Sequence, residues 1–299
     1  MLKLKEVAIR TLSGAVFVAV VIAVTLLGGY WFCGLFTLFA AGGAFEFARL
    51  INRMPGRHVS PVCSVVGAVL MSVVMFLNFY VSSSSTFGGY VPAALCVVLL
   101  AYMLLVVGIF IGELFLYKGE PLSGVSDFLL CQVVAVLPFL LLMALATTMD
   151  GCGNIYVLML FVTIWVNDTF AYLVGSTFGR HHFATQISPK KSWEGIAGGA
   201  VFALAVCVGC WALLQGRVEA FARLDWWEWV IFWFLAVTFG VLGDLLESML
   251  KRMAGVKDSG CFMPGHGGVL DRFDSVLFAT PAVFVLLILL ELFQDSIVF

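Results

Sequence analysis

Charge is what this sequence has least of. Asp, Glu, Lys and Arg make up 11% of its 299 residues, against about a quarter in soluble globular domains. With 62% hydrophobic residues and a mean hydropathy of +1.08, that scarcity excludes an ordinary soluble domain. The net charge of -2 points to no charged partner, and no nucleic acid is expected. Internal repeats are missing, and low complexity is confined to the SSSS run at 82–85. No linker is long enough to separate two soluble domains. The eight cysteines are scattered, mostly inside apolar runs, and read as small core residues rather than as a disulfide or zinc framework. The opening MLKLKEVAIR and the apolar run behind it superficially resemble a signal peptide. No small-residue cleavage site closes that run, so it is expected to be a first membrane helix.

What is present is a series of long apolar runs. Nine can be delimited, over roughly 11–28, 30–48, 60–80, 90–116, 125–147, 154–178, 195–215, 226–250 and 275–293. They predict an all-α, polytopic membrane protein of about nine transmembrane helices with a cytoplasmic N-terminus. On that topology fourteen of the 16 Lys and Arg residues fall inside, and only Arg217 and Arg223 fall outside. One helix more or fewer would scramble the split. The polar loops 179–194 and 251–274 then face the cytoplasm. The chain divides into N-terminal transmembrane helices (1–150, about five) and a C-terminal catalytic transmembrane region (151–299).

Ionisable groups near a bilayer are costly and mark function. Asp244, Glu247 and Lys251 share one stripe of the eighth segment, with Asp244 about two turns inside it. A salt-bridged helix end is the plainer reading. Beyond them come Lys257, Asp258, Pro264, Gly265, His266, Gly267, Gly268, Asp271, Arg272 and Asp274. Asp271 and Asp274 stand at i, i+3 at the start of the last helix, where one of them is accounted for as a cap. With Asp244 they make three acids that repel one another unless a cation neutralises them. All-oxygen ligation suits Mg²⁺, which shares itself with phosphate oxygens. Gly265, Gly267 and Gly268 allow close backbone approach to an anion, although a plain turn needs glycines too. Lys251, Arg252, Lys257 and Arg272 supply cations for phosphate or anionic headgroups. His266 is either a general acid or a hydrogen-bonding loop residue.

A second cluster spans 167–195. Asp168 lies deep enough in its segment to need a partner, and Tyr172, Gly175 and Gly179 follow on the same face; the two glycines read best as small residues for close helix packing. The SPKKS stretch offers Ser188, Lys190, Lys191 and Ser192 to a polyphosphate, with a merely positive-inside loop as the plainer reading. His181 and His182 have no third ligand at helical spacing. Glu46, inside the second segment, is a buried acid whose partner the sequence does not reveal, and Glu113 is more easily satisfied at the interface. These residues suggest phosphoryl or nucleotidyl transfer onto a lipid.

The stretch from Ser248 through Lys251, Arg252, Lys257, Asp258, Gly260, Pro264, His266, Gly267, Gly268, Asp271 and Arg272 to Asp274 closely resembles the signature of the phosphatidate cytidylyltransferases. Met263 departs mildly from the family's usual Ile or Leu. The run containing Asp168, Ala171, Tyr172, Gly175, Ser188, Lys190, Lys191, Ser192, Glu194 and Gly195 is similar to a second family region, with Arg180-His181-His182 where a further basic residue is commoner. Residues 1–150 match only in general character. The resemblance implies that CTP and phosphatidic acid give CDP-diacylglycerol and pyrophosphate with Mg²⁺. It implies Asp244, Asp271 and Asp274 as metal ligands and a second, monovalent cation. It further implies a homodimer. On the same footing Lys190, Lys191 and Arg272 contact phosphates, and Ser188 and Ser192 hydrogen-bond nucleotide or headgroup. The modest length and lack of a targeting segment suggest a bacterial inner membrane, and the Lys and Arg distribution turns the active site towards the cytoplasm. The rival readings are a CTP-dependent polyprenol or phytol kinase, against which the full Lys251-to-Asp274 pattern stands, and an ion or metabolite transporter. Transporters place acids at the midplane and often show repeats.

Overall fold

The computed structural model describes residues 2–83, 91–116, 122–147, 151–262 and 267–297. Among them the regular structure is helical: α1 (Leu2–Leu27), α2 (Gly29–Ile51), α3 (Pro61–Ser83), α4 (Val91–Leu116), α5 (Ser123–Cys131), α6 (Leu137–Thr147), α7 (Gly153–Phe178), α8 (Trp193–Leu214), α9 (Glu219–Ala222), α10 (Trp226–Met253) and α11 (Leu270–Ile297). Eight segments are long and apolar enough to cross a membrane, and Thr11–Leu27 of α1 is a shorter apolar stretch. The chain is therefore an all-α, multi-pass membrane protein, and each of the nine expected segments is helical.

The last helix begins at Leu270, with Asp271 in its first turn as expected, where the helix dipole favours a carboxylate. Two local features differ from the expectation. A four-residue helix, α9, was not anticipated; its Glu219 pairs with Arg223 one turn on, at 2.8 Å. Finally, α5 and α6 form one span joined by a π-helical turn over Gln132–Val136, in which Leu137 N–H bonds to Gln132 O five residues back. Pro138 explains it: proline has no amide hydrogen and its ring displaces the carbonyl four residues earlier.

The chain forms two compact units. The first comprises Met1–Thr147 and Leu250–Arg272, the second Thr148–Met249 and Phe273–Phe299. Residues 250–272, the end of α10 through the start of α11, thus group with the N-terminal helices. In the first unit α2 supplies a run of buried phenylalanines. Phe32 and Phe36 stack at 4.1 Å, and Phe36 meets Phe139 of α6 edge-on at 6.3 Å. Lipid tails are as apolar as these side chains, so close packing rather than water exclusion holds such helices together. Two buried polar side chains of this unit find partners: Gln132 Nε2 donates to Ser64 O at 3.1 Å, and Arg57 pairs with the fully buried Asp127. Asn52 and Val59 exchange two hydrogen bonds of 2.8 and 2.7 Å that close the α2–α3 turn.

In the second unit α7 and α8 approach through small residues. A Cβ on Gly199 would lie 2.5 Å from Asn167 O, and one on Gly195 would lie 2.8 Å from Ala171 O. Gly175 and Gly179 face Ser192 in the same seam, so their lack of a side chain serves packing. Trp229 is fully buried against Phe221, at 4.9 Å. All eight cysteines are free; Cys207 and Cys210 stand at C-x-x-C spacing, but inside the turns of α8.

Candidate functional site

In the first unit the chemistry-bearing residues gather on Asp271. Its Oδ1 takes a 2.7 Å bond from Lys251 Nζ. Its Oδ2 accepts from Ser259 N at 2.8 Å, Ser259 Oγ at 2.9 Å and Gly268 N at 2.8 Å. The two ionic side chains are 14% and 6% exposed, so each depends on the other to make burial tolerable. One carboxylate therefore ties the end of α10, the polar loop and the start of α11 into one piece. Gly267 adopts φ +83, and a Cβ there would lie 2.5 Å from Asp271 Oδ2, so both backbone and space require glycine. The amide of Gly268, expected to be free for a phosphate, is spent on Asp271. Arg252, Lys257 and Asp258 are exposed. His266, Pro264, Gly265 and Met263 lie outside the described residues.

Arg272 follows Asp271 in the chain and presents a different picture. Its Nε is buried and has no hydrogen-bond partner among the described residues. A buried, unsatisfied guanidinium donor is costly, and an anion bound there would remove the cost.

In the second unit the expected residues again assemble, around a compact hairpin. His182 and Ser192 form an isolated antiparallel bridge, flanked by Phe183 N to Lys191 O at 3.2 Å and Trp193 N to His181 O at 2.9 Å. The hairpin delivers Lys191, whose Nζ lies 2.8 Å from Asp244 Oδ2. Asp168 is exposed and interacts electrostatically with both Asp244 and Lys191; its Oδ2 is 3.5 Å from Ser275 Oγ. Asp244 Oδ1 has only a long contact, 3.4 Å, from Ser248 Oγ. Asp274 Oδ1 accepts from Ser275 N at 2.7 Å.

Other residues of the second cluster are engaged by the protein itself. Ser192, expected to meet substrate, is 3% exposed and its Oγ caps α8 by accepting from Gly195 N at 3.2 Å. Glu194 binds back to Arg180 N, His181 N and His181 Nδ1, so it fastens the hairpin to α8. Tyr172 is 74% exposed on α7. Lys190 is exposed and Ser188 half-buried; the Ser188 carbonyl accepts from Lys191 N at 3.2 Å and closes the turn.

Asp271 thus belongs to the first unit, and Asp244 and Asp274 to the second. Among the described residues no group of three or more His, Cys, Asp or Glu is arranged to hold a metal. Lys251 and Lys191 occupy the positions beside Asp271 and Asp244 that a cation would take. Ser259 was missed by sequence reasoning. Its single hydroxyl lies within 3.0 Å of both Asp271 Oδ2 and Glu46 Oε2, and the only signal for it was a small polar residue in a glycine-rich loop.

Comparison with known proteins agrees with this picture. A model of the cytidylyltransferase family matches residues 8–290. A phosphatidate cytidylyltransferase of Staphylococcus aureus (strain COL) is 34% identical over 254 residues, covering 82% of this chain and 79% of its own length. The phosphatidate cytidylyltransferase of Bacillus subtilis (strain 168) is 45% identical over 141 residues, 47% of this chain and 50% of the relative. That of Staphylococcus haemolyticus is 42% identical over 143 residues, 48% of this chain and 52% of the relative. The chain thus spans about half the length of these last two relatives in their alignments.

Proposed function

The chain belongs to the cytidylyltransferase family, and from that premise we propose that it transfers a cytidylyl group from CTP to phosphatidic acid. The products are CDP-diacylglycerol and pyrophosphate. The reading is carried by the gathering of Lys251, Ser259 and Gly268 on Asp271, beside an Arg272 whose buried Nε has no acceptor among the described residues.

A phosphate oxygen of phosphatidate attacks the α-phosphorus of CTP, and the bond to the β-phosphate oxygen breaks. That nucleophile is already anionic near pH 7, so the reaction needs no strong general base. The barrier lies in bringing two polyanions together and in stabilising charge on the departing pyrophosphate. On this reading Arg272 and Lys190 contact phosphate oxygens; the buried, unpartnered Nε of Arg272 supports its part. Lys191 moves between Asp244 and the incoming phosphates, and Lys251 keeps Asp271 oriented.

Magnesium suits the donors present. They are carboxylate oxygens with lone pairs to spare, notably Asp244 Oδ1 and the exposed Asp168. The residues of the second unit that would hold it are Asp244 and Asp274, with Asp168 available beside Asp244; Asp271, in the first unit, already accepts four hydrogen bonds. When bound it supplies neutralisation of phosphate charge.

The protein is a multi-pass membrane protein. We place it in the cell's inner membrane as a homodimer with loops 179–194 and 251–274 towards the cytoplasm, where CTP is made; the distribution of Lys and Arg supports that orientation. The test is to incubate purified protein with CTP, phosphatidate and Mg²⁺ and to identify the products. CDP-diacylglycerol with pyrophosphate is expected. Release of CDP with a phosphorylated lipid alcohol would make the protein a lipid kinase instead.

A further inference from the structure

Glu46 lies inside a membrane helix, is 7% exposed, and has no place in the scheme above. Its surroundings show where its charge goes. Oε2 accepts from Leu270 N at 3.0 Å and lies 3.0 Å from Ser259 Oγ, whose single proton it shares with Asp271 Oδ2. Leu270 is the first residue of α11, and the first amides of a helix have no intrahelical acceptor. Glu46 therefore caps α11 from another helix, at the end whose dipole favours an anion. It also reaches Asp271 through the shared hydroxyl of Ser259.

The glycines of the loop fit the same carboxylate. A Cβ on Gly260 would lie 2.3 Å from Glu46 Oε1, and one on Gly268 would lie 2.2 Å from Oε2. Either contact would force the Glu46 carboxylate to shift, at the expense of its bonds to Leu270 N and Ser259 Oγ. The two positions are glycine because Glu46 fills the space a side chain would need. The same carboxylate borders a cavity of about 450 Å³ that is also lined by Arg49, Arg53, Asp258 and Ser259.

We propose that Glu46 is a positioning residue for the transfer reaction: it seats Ser259, Gly260, Gly268 and the start of α11, and through Ser259 it fixes Asp271. It touches no reacting atom. The inference rests on the cytidylyltransferase reading for its kinetic arm only.

The experiment compares Glu46→Ala, Glu46→Gln and Gly268→Ala with the wild type in detergent, by steady-state kinetics and by amide hydrogen exchange of peptides covering 258–271. Gln keeps one acceptor oxygen where Oε2 stands, so it should retain wild-type exchange and kcat within about threefold. Ala should speed exchange of that segment at least tenfold and lower kcat at least tenfold, with the KM values for CTP and phosphatidate within threefold. Gly268→Ala should be impaired alone, yet add little to Glu46→Ala, because the clash disappears with the carboxylate; contacting residues couple in this way. Wild-type exchange in Glu46→Ala, or losses that simply multiply in the double variant, would overturn the proposal. Should Glu46→Ala fail to fold, Glu46→Asp serves, since one methylene less cannot reach Leu270 N and must reproduce the faster exchange. A wild-type protein that made no CDP-diacylglycerol would sink the reaction, and the exchange comparison would still decide the role of Glu46.

Discussion

Lys191 Nζ stands 2.8 Å from Asp244 Oδ2, joining the SPKKS turn to the acid that lies two turns inside α10. The two polar stretches that stood out in the sequence are one structure at this point. The side chains are 20% and 34% exposed, so the pair is worth more than a surface ion pair and less than a fully buried one.

Replacing Lys191 with Ala removes a cation from the SPKKS turn and leaves the Asp244 carboxylate without its ion-pair partner. The KM for CTP or for phosphatidate should rise about tenfold, equivalent to about 1.4 kcal/mol of binding. Initial-rate measurements against each substrate check this, and unchanged values for both refute it.

Asp271→Asn neutralises the acceptor of four donors and strands Lys251, which is only 14% exposed. Pyrophosphate release should fall at least about 100-fold, and removal of one member of a buried pair should cost about 3 kcal/mol of stability. The chain should still insert, because no span loses apolar length. Near-normal release by this variant would rule out a central role for Asp271.

The seam between α7 and α8 has no room at Gly199, where an added Cβ would lie 2.5 Å from Asn167 O. Gly199→Val should lower the thermal midpoint and the yield of monodisperse protein, at a cost of about 3 kcal/mol or more for overpacking. Gly209→Ala in the same helix meets nothing within 4 Å and should be silent. Equal behaviour of the two variants would mean the seam is not tight.

Arg57 neutralises Asp127, which is 0% exposed at the start of α5. Arg57→Ala should destabilise the protein by about 3–5 kcal/mol, the range for leaving a buried charge alone. Turnover per folded molecule should not change, because neither residue belongs to the reacting groups. A thermal melt with activity normalised to folded protein separates the two effects.

Much of this was legible in the residues themselves. Hydropathy is a local signal, so nine apolar runs located nine helices to within a few residues, and the Ser248–Asp274 spacing pointed to the right family. What the sequence hid was non-local. Glu46 is separated by 213 and 224 positions from Ser259 and Leu270, and no periodicity links them. The loop glycines looked like space for a phosphate, whereas Gly260, Gly267 and Gly268 make room for Glu46 and Asp271. Ser192 looked like a ligand contact because a hydroxyl beside lysines suits phosphate; its place one residue before α8 makes it a cap.

The fourth helix has a different sort of freedom. Its span, Ala93–Phe115, has a hydropathy of 3.0 and none of it is buried, while Glu113 near its end accepts a hydrogen bond from Gly124 N. Apart from the side that meets α3 and α5, where Tyr102 lies against Phe128, its residues need only be apolar. Over generations that helix can exchange one greasy residue for another almost without cost, so two descendants of this chain should differ there more than anywhere in α2, and agree at Glu113.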